Sequence, residues 1–207
     1  MFNTAQHCHV ESNVLNELES YSSLPWAQFV EEEFASSLLK CSNMSTLGPD
    51  KLSWRHFKII LKDKTCLRNI ITIADTCIKL GYWPSHFKIS LTIVISKPNK
   101  ASYDSPKLFR PIILLNTLGK LIEKVISNRI QFHVVTNNFI HYSQLGSLKF
   151  KSTIDAGIAL THFIHMGWVK NMSTSTLTFD ISQFFPSLNY HLLSLILKKA
   201  GLDSLIV

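Results

Sequence analysis

The sequence predicts an α+β fold, rich in helix and with two or three short strands. Three observations predict it. Apolar residues recur at helical spacing along several long stretches, two short runs are dense in β-branched residues, and Gly and Pro stand where one pattern gives way to the next. With 207 residues, 46% hydrophobic and 17% charged, the chain can bury a core and is unlike a disordered tail.

Taken in order, residues 11–40 read as helical. Trp26, Phe29, Val30, Phe34, Leu38 and Leu39 fall on one face, Pro25 suits a first turn, and Glu31–Glu33 point to solvent. Gly48-Pro49-Asp50 breaks the pattern as a turn, and Asp50 or Ser53 can cap the helix that follows. Leu67, Ile70, Ile71, Ala74, Cys77 and Ile78 mark a helix over 64–80 that Gly81 stops. "ISLTIVIS" is the clearest strand, and "RPIILL" a second one beyond a loop rich in Pro and Lys. "NTLGKLIEKVISNRIQFHVV" is a long amphipathic helix that Asn116 or Thr117 can cap. A polar segment separates it from a helix over about 153–167. "TLTFD" reads as a strand, and "YHLLSLILKKAGL" as a last helix ended by Gly201.

Charge is distributed unevenly. Residues 1–50 hold one lysine against seven carboxylates, a net of −6; the remainder holds twenty basic and seven acidic residues, a net of +13. A basic body points to a polyanionic partner, with nucleic acid first. The longest apolar runs are far too short to span a bilayer, and the N-terminus lacks a basic region followed by an apolar core. An intracellular protein is therefore expected, with Cys8, Cys41, Cys66 and Cys77 as reduced thiols. "HCH" at 7–9 has no second half-site for a metal, and His162 and His165 read as surface or interface histidines on one helix face. The tryptophans at 26, 54, 83 and 168 read as core or interface anchors.

Three elements have the chemistry of a polyphosphate site. Lys97 ends one strand and Arg110 starts the next, so a hairpin would set the two cations side by side. Arginine meets phosphate oxygens with a planar fork, and lysine adds a mobile point charge. Asp180 ends an apolar run, the placement of a carboxylate that holds Mg²⁺ in nucleotidyl transfer. Each also has an ordinary use, as a loop charge or a strand-end cap.

Four ordered blocks then resemble a known family. "GPDKLSWRHFK", "ISKPNK…SPKLFRPIILLNTLGKLIEKVISNRI", "SQLGSLKFKSTIDAGIAL" and "TFDISQFFPSLNYHLL" resemble the reverse transcriptase domain of non-LTR (LINE-type) retrotransposons, particularly fungal ones. The resemblance covers about residues 30–205. It implies a leader over 1–29 and, over 30–207, the helix-rich fingers and incomplete palm of a right-hand polymerase. In the family this is an RNA-directed DNA polymerase using Mg²⁺, deoxynucleoside triphosphates, an RNA template and a DNA primer.

By that resemblance Asp180 matches the first metal-binding carboxylate of the palm, and the carbonyl of Ile181 a lesser ligand. Phe185 matches the aromatic beneath the incoming sugar, Arg110 the arginine on the triphosphate, and Lys97 the basic residue of the preceding strand. Gln144, Gly146, Ser152 and Thr153 match a block beside the template; the glutamine and serine also have plain capping uses. Ser96 stands where proline is frequent, and Ser147 where glycine is common. The family's Tyr-x-Asp-Asp-like box has no counterpart, since the sequence holds no Asp-Asp pair. Two-metal catalysis needs those carboxylates. The resemblance therefore implies that the rest of the palm and the thumb lie beyond these residues, and that the chain alone does not synthesise DNA. It also implies that the strand ending at Asp180 lacks sheet partners. A non-catalytic basic RNA-binding module, or a relic without function, are the alternative readings.

Overall fold

The computed structural model describes residues 25–181 and 184–203. It is helical, with one two-stranded antiparallel sheet. The helices are α1 (Glu31–Leu39), α2 (Trp54–Ile60), α3 (Lys64–Leu80), α4 (Ser85–Lys88), α5 (Thr117–Thr136), α6 (Thr153–Val169), α7 (Phe184–Ser187) and α8 (Tyr190–Lys199). The strands are β1 (Ser90–Ser96) and β2 (Phe109–Leu115). The chain divides into two compact units, residues 25–129 with Asp203, and residues 130–202. The expected leader, including "HCH", lies almost wholly outside the described residues. No helix among the described residues is long and apolar enough to cross a membrane.

The first unit holds one apolar cluster. Phe29, Phe34 and Leu38 meet Trp54, Phe57 and the inner face of α3 (Leu67, Ile70, Ala74, Ile78), together with Phe87 and Leu121, Ile122 and Val125 of α5. The α3 residues are those its periodicity marks. Its ends follow simple chemistry: the Asp63 carboxylate accepts from the Cys66 N–H at 2.8 Å, and Gly81 closes the helix at φ +58°. At the next helix upstream, the Ser53 N–H donates to His56 Nδ1 at 3.0 Å, so Ser53 and not Asp50 starts α2. Cys41, Cys66 and Cys77 are free thiols.

Near its beginning the unit departs from the helical pattern. α1 starts only at Glu31; Pro25 to Val30 form no helix, with Val30 extended, and Val30 and Leu39 are exposed. The reason is tertiary. Arg129 donates to the Ala27 and Gln28 carbonyls, while the Phe29 N–H donates to the buried Asp75 carboxylate at 3.2 Å. With their polar groups satisfied from elsewhere, these residues have no need of helical hydrogen bonds. The Arg129 guanidinium also lies 4.5 Å from the Trp26 ring centroid and 4.4 Å from that of Phe29. Glu33, expected in solvent, is bonded to Arg129 through both carboxylate oxygens, at 2.5 and 2.6 Å. Burial raises the pKa of that carboxyl, but the Arg129 hydrogen bond, the Val30 N–H and the Arg129 charge more than offset it, leaving the pKa below its usual value.

In residues 130–202 few large side chains are buried. His133 is one: its Nε2 donates to the Ala200 carbonyl at 2.6 Å, and Asn137 donates to its Nδ1 at 3.2 Å. Gly201, at φ +83°, closes the last helix as expected. α6 is apolar all round, yet Ile154, Ile158, Phe163 and Val169 are exposed, as is Trp168, at 60%, which the sequence had marked as an anchor. The expected strand ending at Asp180 forms no ladder with any described strand; residues 173–181 are irregular, and Phe179 is 87% exposed. Apolar alternation makes a segment competent for pairing, but a strand exists only where a partner takes its N–H and C=O groups.

Candidate nucleotide and nucleic-acid site

In the first unit the candidate site is built on the β-hairpin. Ile95 pairs with Arg110, and Ser96 with Phe109. The Lys97 N–H continues the ladder by donating to the Leu108 carbonyl at 2.8 Å. Cross-strand partners share a face, so Ile95, Lys97, Leu108 and Arg110 lie on the same side and the two cations are diagonal neighbours. This is the juxtaposition the sequence predicts. Their states differ. Lys97 Nζ donates to the Lys107 carbonyl at 2.6 Å, while the Arg110 guanidinium is exposed and has no hydrogen-bond or ion-pair partner among the described residues. Ser96, where proline is frequent in the family, stays in regular pairing.

The ladder also explains Pro111. Hydrogen-bonded and non-bonded pairs alternate, so the Lys97–Leu108 bond makes Val94–Pro111 a non-bonded pair. The missing N–H of the proline therefore costs the hairpin nothing.

The base of the hairpin is pinned by the Gly48-Pro49-Asp50 turn. A Cβ on Gly48 would lie 2.1 Å from the Leu115 carbonyl oxygen, so only glycine permits this approach. The Asp50 carboxylate accepts from the Thr117 N–H at 2.6 Å, and the Asp50 N–H donates to Asn116 Oδ1 at 3.1 Å. Asn116 Nδ2 donates to the His86 carbonyl and Thr117 Oγ1 to that of Leu52. Asn116 and Thr117 are buried at 2% exposure each. The start of α5 is thus capped by Asp50, 67 residues earlier, and not by Asn116 or Thr117 as the sequence suggests. Sequence spacing carries no sign of so distant a partner; its only trace is an "Asn-Thr" pair beside an explicit turn elsewhere.

The other candidates lie in residues 130–202. Gln144 Nε2 donates to the Gly146 carbonyl at 3.2 Å, within its own loop. Gly146 has room for a side chain, whereas Ser147 stands at φ +61° and Phe150 at φ +62°, a region that favours glycine. Ser152 is committed to α6: its hydroxyl accepts from the Asp155 N–H at 3.2 Å, and its own N–H and hydroxyl donate to the Asp155 carboxylate at 2.7 and 2.8 Å. The Ser152 hydroxyl and N–H hold the pKa of Asp155 below the usual carboxylate range. Thr153, the first residue of α6, is exposed.

Asp180 and Ile181 are exposed, and Phe185 is exposed with its ring edge-on to Phe184 at 5.4 Å. Among the described residues no three His, Cys, Asp or Glu side chains are grouped so as to hold a metal ion. A single carboxylate binds Mg²⁺ weakly, so these residues do not by themselves constitute the metal centre implied by the sequence.

A family model described as reverse transcriptase (RNA-dependent DNA polymerase) matches residues 95–206, more than half of the chain and all of the candidate site residues. The chain belongs to the reverse transcriptase family. It is similar to the probable RNA-directed DNA polymerase from transposon BS of Drosophila melanogaster, 27% identical over 113 residues, which are 55% of this chain and 12% of that one. It is also similar to the RNA-directed DNA polymerase from mobile element jockey of the same organism, 32% identical over 108 residues, 52% of this chain and 12% of that protein. These matches support the LINE-type assignment and do not bear on the fungal likeness. The matched stretch spans about an eighth of the relatives' length.

Proposed function

We propose that residues 30–207 of this reverse transcriptase are the fingers and leading part of the palm of a retrotransposon RNA-directed DNA polymerase. The observation that carries the reading is the hairpin register, which sets Lys97 and Arg110 on one face within the matched span. The intact enzyme would copy an RNA template from a DNA primer with deoxynucleoside triphosphates and Mg²⁺.

In this reading the unpaired Arg110 guanidinium binds the triphosphate oxygens through its fork. Lys97 joins it by exchanging the Lys107 carbonyl for phosphate. Phe185 stacks beneath the incoming sugar, where its bulk disfavours a 2′-hydroxyl. Gln144, Gly146, Ser152 and Thr153 border the template; with the Ser152 hydroxyl committed to Asp155, this edge contributes mainly the backbone and Thr153. Asp180, with the Ile181 carbonyl, supplies part of a metal centre that needs carboxylates beyond the described residues. Nucleotidyl transfer by this chain alone is therefore not expected.

Photocrosslinking with an azido-deoxyadenosine triphosphate tests the reading on the 207-residue chain. Labelling should fall on the hairpin and drop at least about tenfold in Arg110→Ala, as for a lost charge-assisted contact. Labelling indifferent to Arg110 would overturn it.

A further inference from the structure

A second basic surface lies away from the hairpin tip, at the corner between α2 and α3. Residues 50–64 contain five cations (Lys51, Arg55, Lys58, Lys62, Lys64) and two carboxylates, Asp50 and Asp63. Both carboxylates are turned onto backbone, Asp50 onto the Thr117 N–H and Asp63 onto the Cys66 N–H. Of the cations, Lys58 is engaged by the Cys41 carbonyl and Asn43. Lys51, Arg55, Lys62 and Lys64 are exposed, and the side chain of none has a hydrogen-bond or ion-pair partner among the described residues. Trp54 and Phe57 bury the opposite side of α2, which fixes Arg55 outward.

The positions are close enough to act together. α2 has seven residues and is about 10 Å long, and Lys51, Lys62 and Lys64 lie within four residues of its ends, so the four positions fall within roughly 30 Å. At about 3.4 Å of axis per phosphate, a nucleic-acid strand presents several phosphates over that span. The surface is also separate from the nucleotide-facing cations. Lys51 adjoins the turn that contacts Leu115 at the hairpin base, while Lys97 and Arg110 lie toward the tip. Strands of seven residues at about 3.3 Å each put some 20 Å between the two.

We infer that Lys51, Arg55, Lys62 and Lys64 form a second polyanion surface, which takes the phosphate backbone of single-stranded RNA outside the nucleotide site. Four unneutralised cations of one sign attract a regularly charged strand. Only the choice of RNA rests on the polymerase reading above.

The test is fluorescence anisotropy of the 207-residue chain with labelled oligouridylate across a potassium chloride series. Three proteins are compared: wild type, K51Q/R55Q/K62Q/K64Q and K97Q/R110Q. Single-stranded binding loses about 0.7 in salt slope per phosphate contact removed, so the fourfold variant should lose roughly 3 and bind at least about tenfold more weakly. The hairpin variant should lose at most about 1.4. Because the four side chains have no partner among the described residues, the variant should keep the wild-type melting temperature. A wild-type salt slope in the fourfold variant overturns the inference. So does binding to phosphatidylserine vesicles with none to RNA. Neither result touches the Arg110 crosslink, so failure here and failure of the polymerase reading are told apart.

Discussion

Residues 25–129 bury half of their aromatic side chains and are braced by hydrogen bonds between residues far apart in sequence, whereas residues 130–202 leave an apolar helix and an irregular, unpaired segment exposed. In the first region Phe34 is wholly buried, and Arg129 gathers two carbonyls, a carboxylate and two rings. In the second, α6 has apolar residues around its whole circumference and buries only Gly167. A helix hydrophobic on all sides ordinarily lies inside a larger structure. The contrast teaches that a complete core and a surface still suited to burial can follow each other within one chain.

The sharpest way to break the first region is Arg129→Ala. It strands the Glu33 carboxylate and two carbonyls, and should cost about 3 kcal/mol, read as a fall in the denaturation midpoint. Gly48→Ala comes next: a Cβ 2.1 Å from the Leu115 oxygen forces the turn off the hairpin base, at about 2 kcal/mol. Amide exchange should then accelerate at Asn116 and Thr117 before elsewhere. Asp50→Ala removes the remote cap of α5 at about 1 kcal/mol.

Acid sharpens the same comparison. The folded-state pKa of Glu33 is lowered, so its contribution is full above the unfolded value of 4.5 and is lost as the pH falls through the lower folded value. The melting temperature of wild type should drop in that window, and that of Glu33→Gln should be flatter. Equal slopes would mean the pair adds nothing. In the second region the substitutions do not destabilise. Phe150→Gly relieves a left-handed backbone and should stabilise by about 1 kcal/mol in thermal melts. Ile158→Lys should leave stability nearly unchanged and slow aggregation measured by light scattering.

What could be read in the sequence divides along the range of the interactions. The inner face of α3, its Gly81 stop and the two hairpin strands were legible, because periodicity and turn chemistry act within a few residues. That Lys97 and Arg110 meet on one hairpin followed from the strands alone, and the register makes them diagonal neighbours. Arg129 was not legible: its partner Glu33 is 96 residues away and sits in an acidic run that resembles an ordinary solvated face. Asp50 and Thr117 were hidden for the same reason. The Asp180 segment shows the converse failure, in which a correct local pattern makes no strand because pairing belongs to two segments. The role proposed for it rests only on the ordered blocks around it.

Pro111 gives the hairpin two unlike edges. On β2 the N–H groups facing away from β1 belong to Phe109, Ile113 and Leu115, with a gap at Pro111. On β1 those of Ser90, Thr92, Val94 and Ser96 form an unbroken row. A further strand therefore meets a continuous template on one side and an interrupted one on the other, so β1 offers the better edge for pairing.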